Sequence, residues 1–200
     1  ARMEGAIASL PGVTREEGRI LSRDPDMRFN AGRTAALLTI ADDLYAYDFA
    51  SARITRLTFT PGIEEEATFS PDGAFVAFVR SHDLHVVEVA SQRERALTTD
   101  GGEELLNGKL DWVYQEEIYG RGRFRAYWWS PDSTRLAYLQ LDERHVPKYT
   151  VVDHIPYRPD VEVTRYPKAG DPNPNVKLAV ANVAGGDPHG DGLLVGLVGD

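Results

Sequence analysis

Residues 43–62, DLYAYDFASARITRLTFTPG, align with residues 83–102, DLHVVEVASQRERALTTDGG, at an offset of 40 residues. The identical positions keep their register over the whole stretch. They are Asp43 and Asp83, Leu44 and Leu84, Ala50-Ser51 and Ala90-Ser91, Arg53 and Arg93, Leu57-Thr58 and Leu97-Thr98, and Gly62 and Gly102. An internal repeat of this kind indicates that one supersecondary unit is used more than once along the chain.

Each repeat has the pattern of short strands. Along residues 43–49, smaller side chains alternate with aromatic ones, as expected for the two faces of a strand. The stretch FSPDGAFVAFV (residues 69–79) places a Pro-Asp-Gly turn between two apolar runs. Pro71 presets φ for the second position of that turn, and Gly73 suits its last position. Residues 74–79 are apolar at every position, so we predict a strand that is covered on both faces.

A period of about 40 residues with several short antiparallel strands is typical of β-propeller blades. Because closed rings typically have about 4 to 8 blades, we predict an all-β fold in which residues 1–200 form three to four blades of a larger ring. The predicted units are residues 28–60, 61–100, 101–145 and 146–200. A β-sandwich is the alternative fold, but a sandwich would not repeat its own sequence.

The third predicted unit contains an insert. Ser70-Pro71-Asp72 recurs as Ser130-Pro131-Asp132 at an offset of 60 rather than 40 residues, and we place the additional chain within residues 103–127. Insertions in repeat proteins emerge on one face, commonly the binding face. Within this insert Asp111 can cap a short helix of about two turns, and Gly120 can end it.

The inserted helix carries two adjacent carboxylates, Glu116 and Glu117, within the otherwise largely apolar segment DWVYQEEIYG (residues 111–120). Two such charges about 4 Å apart repel by roughly 4 kcal/mol at an effective dielectric constant near 20. A metal ion, an arginine or the ammonium group of a substrate would relieve this repulsion. The alternative is a solvated helix face whose charge is neutralised locally by Arg121, Arg123 and Arg125.

Composition and missing motifs narrow the possible functions. The chain has 31 acidic and 22 basic residues, and its net charge of −9 argues against a nucleic-acid partner. No run of 18 apolar residues occurs, so we predict no membrane span.

We also predict no metal or cofactor: cysteine is absent, and His82 and His85 would project from opposite faces of a strand. The loop GGDPHGDG (residues 185–192) lacks the ligand spacing of a calcium loop, and no Gly-x-Ser-x-Gly motif occurs.

Three stretches in the same order resemble the N-terminal propeller region of dipeptidyl peptidase IV, in the prolyl oligopeptidase family. They are DWVYQEEIYG (residues 111–120), YWWSPDSTRLAYLQLDERHVPKY (residues 127–149) and YPKAGDPNPNVKLAV (residues 166–180). The resemblance implies that Glu116 and Glu117 grip the free N-terminal ammonium of a peptide. It also implies a serine peptidase that releases N-terminal dipeptides with proline or alanine second.

The same resemblance implies that the catalytic serine, aspartate and histidine lie on a C-terminal α/β-hydrolase domain, which is absent from these 200 residues. That domain and peptides with a free N-terminus are the expected partners. We also expect a homodimer and export to a bacterial periplasm, with a cytoplasmic location as the open alternative. An arginine that some relatives use to hold the substrate carbonyl has no clean counterpart near Phe59. A non-catalytic propeller that acts as a binding or scaffold module is the alternative function.

Overall fold

The computed structural model describes residues 2–120, 122–155 and 157–185, together with the backbone of a strand at Val195–Leu197. Short antiparallel strands make up most of the regular structure in these residues, which confirms the all-β prediction. Most of the loop at residues 185–192 lies outside the described part of the chain.

The first two sheets contain the two aligned sequence repeats. Each sheet has four antiparallel strands in sequence order. The first sheet consists of β1 (Arg28–Phe29), β2 (Ala35–Ile40), β3 (Asp43–Asp48) and β4 (Arg53–Arg56). The second sheet consists of β5 (Glu65–Phe69), β6 (Phe75–Arg80), β7 (Asp83–Glu88) and β8 (Glu94–Ala96).

Residues that match in the sequence repeat make the same buried contact in both sheets. The Thr58 hydroxyl accepts a hydrogen bond from the Leu44 amide at 2.8 Å, and the Thr98 hydroxyl accepts one from the Leu84 amide at 2.9 Å. Both threonines are buried. The repeat therefore preserves the residue that satisfies a backbone donor at the start of the third strand of each sheet.

The predicted turn forms between β5 and β6. The Gly73 amide donates to the Ser70 carbonyl at 2.9 Å, and Gly73 has a φ of +75°, a conformation that is most accessible to glycine. The strand that follows is covered on both faces, as predicted. Val76 and Phe78 pack towards the first sheet, while Ala77 and Val79 pack towards the third.

The third sheet has a more complex topology. Strands β10, β11, β14 and β15 pair in that order, and β9 also pairs with β11. Their ranges are β9 (Leu105–Asn107), β10 (Tyr127–Trp129), β11 (Arg135–Asp142), β14 (Asn175–Asn182) and β15 (Val195–Leu197).

The third sheet departs from the predicted division of the chain. The prediction began a fourth unit at residue 146, but β14 pairs with β11 along eight residues, from Arg135 opposite Asn182 to Asp142 opposite Asn175. Strands on both sides of the predicted boundary therefore belong to one sheet. The sequence pattern missed this because the chain between β11 and β14 makes a separate excursion before it returns.

That excursion is a two-stranded hairpin, β12 (Lys148–Asp153) and β13 (Asp160–Arg165), which we call the hairpin arm. Its strands pair with each other and with no other strand in the described part of the chain. The predicted insert precedes β10, which pairs antiparallel with the first half of β11 and so begins on the side of the last residue of β11, and the arm follows that last residue. Both excursions therefore leave the third sheet at the same end.

Two short helices at the N-terminus were not predicted. They are α1 (Arg2–Ile7) and α2 (Arg15–Leu21). Thr14 and Glu17 form a reciprocal capping box at the start of α2, a signal that was present in the sequence. With Leu38, Ile40 and Tyr47, the helices form an apolar cluster separate from the one between the first and second sheets.

Candidate functional site

The insert folds into a short helix, as predicted, but with a different geometry. Its central part, Tyr114–Ile118, is a π-helix, closed by a hydrogen bond from the Tyr119 amide to the Tyr114 carbonyl at 2.9 Å. This i to i+5 bond widens the turn, and such turns often occur at functional sites. Adjacent side chains diverge by a smaller angle in this wider turn than in an α-helix, so Glu116 and Glu117 leave the helix in more similar directions.

Asp111 starts the helix, as the sequence predicted. Its Oδ1 accepts a hydrogen bond from the Tyr114 amide at 2.9 Å, and its carbonyl accepts one from the Gln115 amide at 3.1 Å. Tyr114 packs against the apolar cluster formed by the third sheet and the insert, which includes Leu110 and Leu139. The start of the helix is therefore fixed both by hydrogen bonds and by apolar packing.

The aromatic residues of the insert have different roles. The Trp112 ring meets the Tyr166 ring edge to face, with centroids 5.0 Å apart, so it joins the insert to the chain that follows the hairpin arm. Tyr149 of the arm lies 6.3 Å from Tyr166, ring centroid to ring centroid. Ile118 and Tyr119, in contrast, are exposed. Packing therefore supports the first half of the helix and leaves its second half open.

The two predicted site residues lie at the open half of the helix. Glu116 is half-buried and Glu117 is exposed. The Arg125 guanidinium lies 5.9 Å from the centroid of the Tyr127 ring, and Arg123 is exposed. Arg121, the third arginine considered as a local neutralising group, lies outside the described residues.

The inserted helix and the chain after β11 contribute three buried polar side chains that the sequence patterns only partly predict. Asp111 is 4% exposed, Gln115 3% and Glu143 7%. Asp111 was predicted as a cap, whereas no pattern assigned a role to Gln115 or to Glu143. The one available signal for Glu143 was its position within the second of the three stretches that resemble the dipeptidyl peptidases.

Burial perturbs the acids of this group. It raises the pKa of Asp111, and it raises the pKa of Glu143 to about 7, with a further contribution from the negative charge of Asp111. The Arg165 guanidinium partly offsets the charge of Glu143 and so lowers its pKa, although Arg165 donates its hydrogen bonds to Glu104 and to the Val146 carbonyl. The hydrogen bond from Arg165 lowers the pKa of Glu104.

Arg56 is the arginine near Phe59, where no clean counterpart of the carbonyl-binding arginine was found, and its side chain is engaged locally. Arg56 donates to Asp43 at 2.5 Å and to the Thr58 carbonyl at 2.9 Å, and its guanidinium lies 4.7 Å from the centroid of the Phe59 ring. Among the described residues no cluster of three or more histidines, aspartates or glutamates has the geometry of a metal site. Within those residues no helix is long and apolar enough to cross a membrane.

The fold and the site define a class of protein in which antiparallel sheets repeat along the chain. A helical insert with two adjacent glutamates lies at one end of the third sheet. Residues 37–195 match the dipeptidyl peptidase IV (DPP IV) N-terminal region. The chain belongs to this family.

Individual relatives agree with the family assignment. Dipeptidyl aminopeptidase B of Saccharomyces cerevisiae is 37% identical over 125 residues, which cover 60% of this chain and 15% of the yeast protein. The crystal structure of Porphyromonas gingivalis dipeptidyl peptidase 4 superimposes with a TM-score of 0.72 and 32% identity, over 87% of this chain and 26% of that one. The chain therefore spans only a small part of the length of these relatives.

Proposed function

We propose that this chain is the N-terminal β-propeller portion of a serine dipeptidyl peptidase, in which Glu116 and Glu117 bind the free N-terminal ammonium of the peptide. The catalytic serine, aspartate and histidine would lie on a C-terminal α/β-hydrolase domain. The observation that carries this proposal is the pair of adjacent carboxylates on an anchored π-helix.

The chemistry of an ammonium group suits such a pair. A protonated amine is a compact donor of three hydrogen bonds, and carboxylates accept charge-assisted bonds from it. Its positive charge also reduces the repulsion between Glu116 and Glu117. A fixed amine site would act as a ruler, because only a set number of residues can reach from it to the catalytic serine. The products would be N-terminal dipeptides with proline or alanine second.

Strand pairing and packing support the propeller part of the proposal. Two consecutive four-stranded antiparallel sheets follow the 40-residue repeat. The second sheet contributes to one apolar cluster with the first sheet and to another with the third. Small sheets stacked face to face in sequence order are the arrangement expected of neighbouring blades.

We also propose that the whole protein is a homodimer. The hairpin arm exposes Val152, Val161 and Val163, and the strand register places Val152 opposite Val161 and Thr150 opposite Val163. Sedimentation of the whole protein tests this assignment. Export to a periplasm stays a prediction from the resemblance.

The amine site is tested by Glu116→Gln and Glu117→Gln in the whole protein. A charge-assisted hydrogen bond contributes roughly 1.5 to 3 kcal/mol, so each substitution should lower kcat/KM for a dipeptide p-nitroanilide about tenfold or more. Glu103→Gln is the matched control, because Glu103 is an exposed glutamate of the same insert.

Unchanged kinetics in both Glu116→Gln and Glu117→Gln would contradict the proposed amine site. The competing function, a binding or scaffold module, makes a separate prediction. It requires that the hydrolase domain that follows lack its nucleophilic serine, so the sequence of the whole protein distinguishes the two functions.

A further inference from the structure

The buried polar group formed by Asp111, Gln115 and Glu143 contains two oxygen atoms that lack a hydrogen-bond donor among the described residues. Asp111 Oδ2 and Gln115 Oε1 are buried and accept no hydrogen bond from the described residues. Buried acceptors without donors are unfavourable, and their occurrence in a native protein often marks a functional site. Both atoms belong to the first turns of the element that carries Glu116 and Glu117.

Asp111 also fixes the start of the π-helix through a hydrogen bond. Its side chain binds the Tyr114 amide, and the Tyr114 carbonyl in turn closes the wide turn by accepting from the Tyr119 amide. Glu116 and Glu117 lie between these two hydrogen bonds. Loss of the first bond would free Tyr114 to shift and would change the angle at which the two carboxylates leave the helix.

The charged groups around Asp111 do not hold its side chain. Glu143, in the chain after β11, is a like-charged neighbour of Asp111, and Arg165 of the hairpin arm acts on Glu143 but donates to Glu104. Lys148 lies 3.5 Å from Glu104, measured from Nζ to Oε1, and so adds its charge to Glu104 rather than to Asp111. Asp111 therefore has no direct ion-pair partner among the described residues, and its hydrogen bond to the Tyr114 amide is its main polar anchor.

We propose that Asp111 is a positioning residue for amine recognition: it holds the π-helix so that Glu116 and Glu117 reach the same ammonium group. This inference rests on the proposed function of the two glutamates. Asp111 itself is buried and does not touch the substrate. Its effect should therefore appear in the binding of the free amine and not in the chemical step.

The test compares Asp111→Asn with Asp111→Ala in the whole protein. Asparagine caps a helix about as well as aspartate, whereas alanine removes the acceptor. With a dipeptide p-nitroanilide whose amine is free, Asp111→Ala should raise KM roughly 2- to 30-fold, the range that corresponds to loss of a cap, and should change kcat less than twofold. Asp111→Asn should keep KM within about twofold of the parent value.

A matched control is Asp132→Ala. Asp132 accepts hydrogen bonds from the Thr134 amide and from the Ser130 and Thr134 hydroxyls in an exposed turn at the opposite end of the third sheet, so its replacement removes an aspartate that caps a backbone amide away from the site. An unchanged KM in folded Asp111→Ala would overturn the proposal, as would a large rise of KM in Asp111→Asn. If Asp111→Ala is not recovered as folded protein, Asp111→Asn decides alone.

Failure of this inference can be separated from failure of the proposed function. If Glu116→Gln and Glu117→Gln leave kcat/KM unchanged, the amine site itself is wrong. If they lower kcat/KM while folded Asp111→Ala keeps the KM of the parent, only the positioning role of Asp111 is wrong.

Discussion

Single residues in this chain acquire their properties from burial. Glu143 and Glu103 are both glutamates near the site, but Glu143 is buried and Glu103 is exposed. Burial raises the pKa of Glu143 to about 7, from an ordinary value of 4.5. The sequence offers no means of telling these two carboxyl groups apart, because desolvation depends on chain segments that are distant in sequence.

The first prediction concerns the pH dependence of stability. Because the pKa of Glu143 is raised in the folded protein, Glu143 binds its proton more tightly there than in the unfolded chain. The resulting stabilisation is complete below pH 4.5. This contribution is lost as pH rises through about 7. The loss corresponds to at most roughly 3 kcal/mol. Glutamine stays neutral at every pH, so Glu143→Gln should not lose this stabilisation as pH rises. The free energy of unfolding of the variant should therefore exceed that of the parent by an amount that grows with pH.

Thermal or urea unfolding of the whole protein at pH 5, 6, 7 and 8 measures this difference. Glu103→Gln makes the same change at an exposed glutamate and is the control variant. A difference between Glu143→Gln and the parent that stays constant with pH would show that Glu143 does not titrate in this range.

At the scale of elements, short-range patterns define strands and turns, whereas close contacts between segments decide which glycines are essential. Gly101 and Gly102 are adjacent, and the sequence repeat singles out Gly102, which aligns with Gly62. A Cβ atom on Gly101 would lie 2.4 Å from the carbonyl oxygen of His82, whereas a Cβ atom on Gly102 would meet nothing within 4 Å. Gly101 therefore allows the chain after β8 to pass the turn between β6 and β7.

The second prediction follows from that difference. Gly101→Ala should destabilise the protein by about 1 to 3 kcal/mol or more, because a backbone carbonyl cannot move aside as a flexible side chain can. Gly102→Ala is the matched control and should change stability by less than about 0.5 kcal/mol. Unfolding midpoints of the two variants provide the comparison, and equal midpoints would contradict the steric argument.

At the scale of the whole molecule, the second and third sheets are joined by a buried hydroxyl as well as by apolar side chains. The Tyr127 hydroxyl of β10 contacts the Glu66 carbonyl and lies 2.9 Å from the Ala77 carbonyl and 3.0 Å from the Thr68 hydroxyl, so its one proton serves two carbonyls of the second sheet. Burial raises the pKa of Tyr127, so the hydroxyl stays neutral and available as a donor at all ordinary pH values.

The third prediction tests this connection between sheets. Tyr127→Phe leaves the buried Ala77 carbonyl without this donor and should cost about 1 to 3 kcal/mol of unfolding free energy. Tyr138, which pairs with Tyr127 across β10 and β11, is the control. Its hydroxyl makes no hydrogen bond to the described residues, so Tyr138→Phe should be nearly neutral. Similar losses in both variants would mean that ring packing, and not the hydroxyl, matters.

The sequence by itself determined the repeat, the strands within it, the Pro-Asp-Gly turn and the position of the inserted helix. These features depend on alternation, on turn residues and on capping residues, all of which act over a few neighbouring residues. The motifs in residues 111–180 also indicated the family and the two glutamates, because a resemblance of this kind depends on the order and spacing of residues along the chain.

Only the tertiary structure decided the pairing of β14 with β11, the wide turn of the inserted helix and the burial of Asp111, Gln115 and Glu143. It also showed α1 and α2 packed against the first sheet. The physical reason is that short helices and buried polar groups depend on contacts between distant parts of the chain, where packing outweighs local preference.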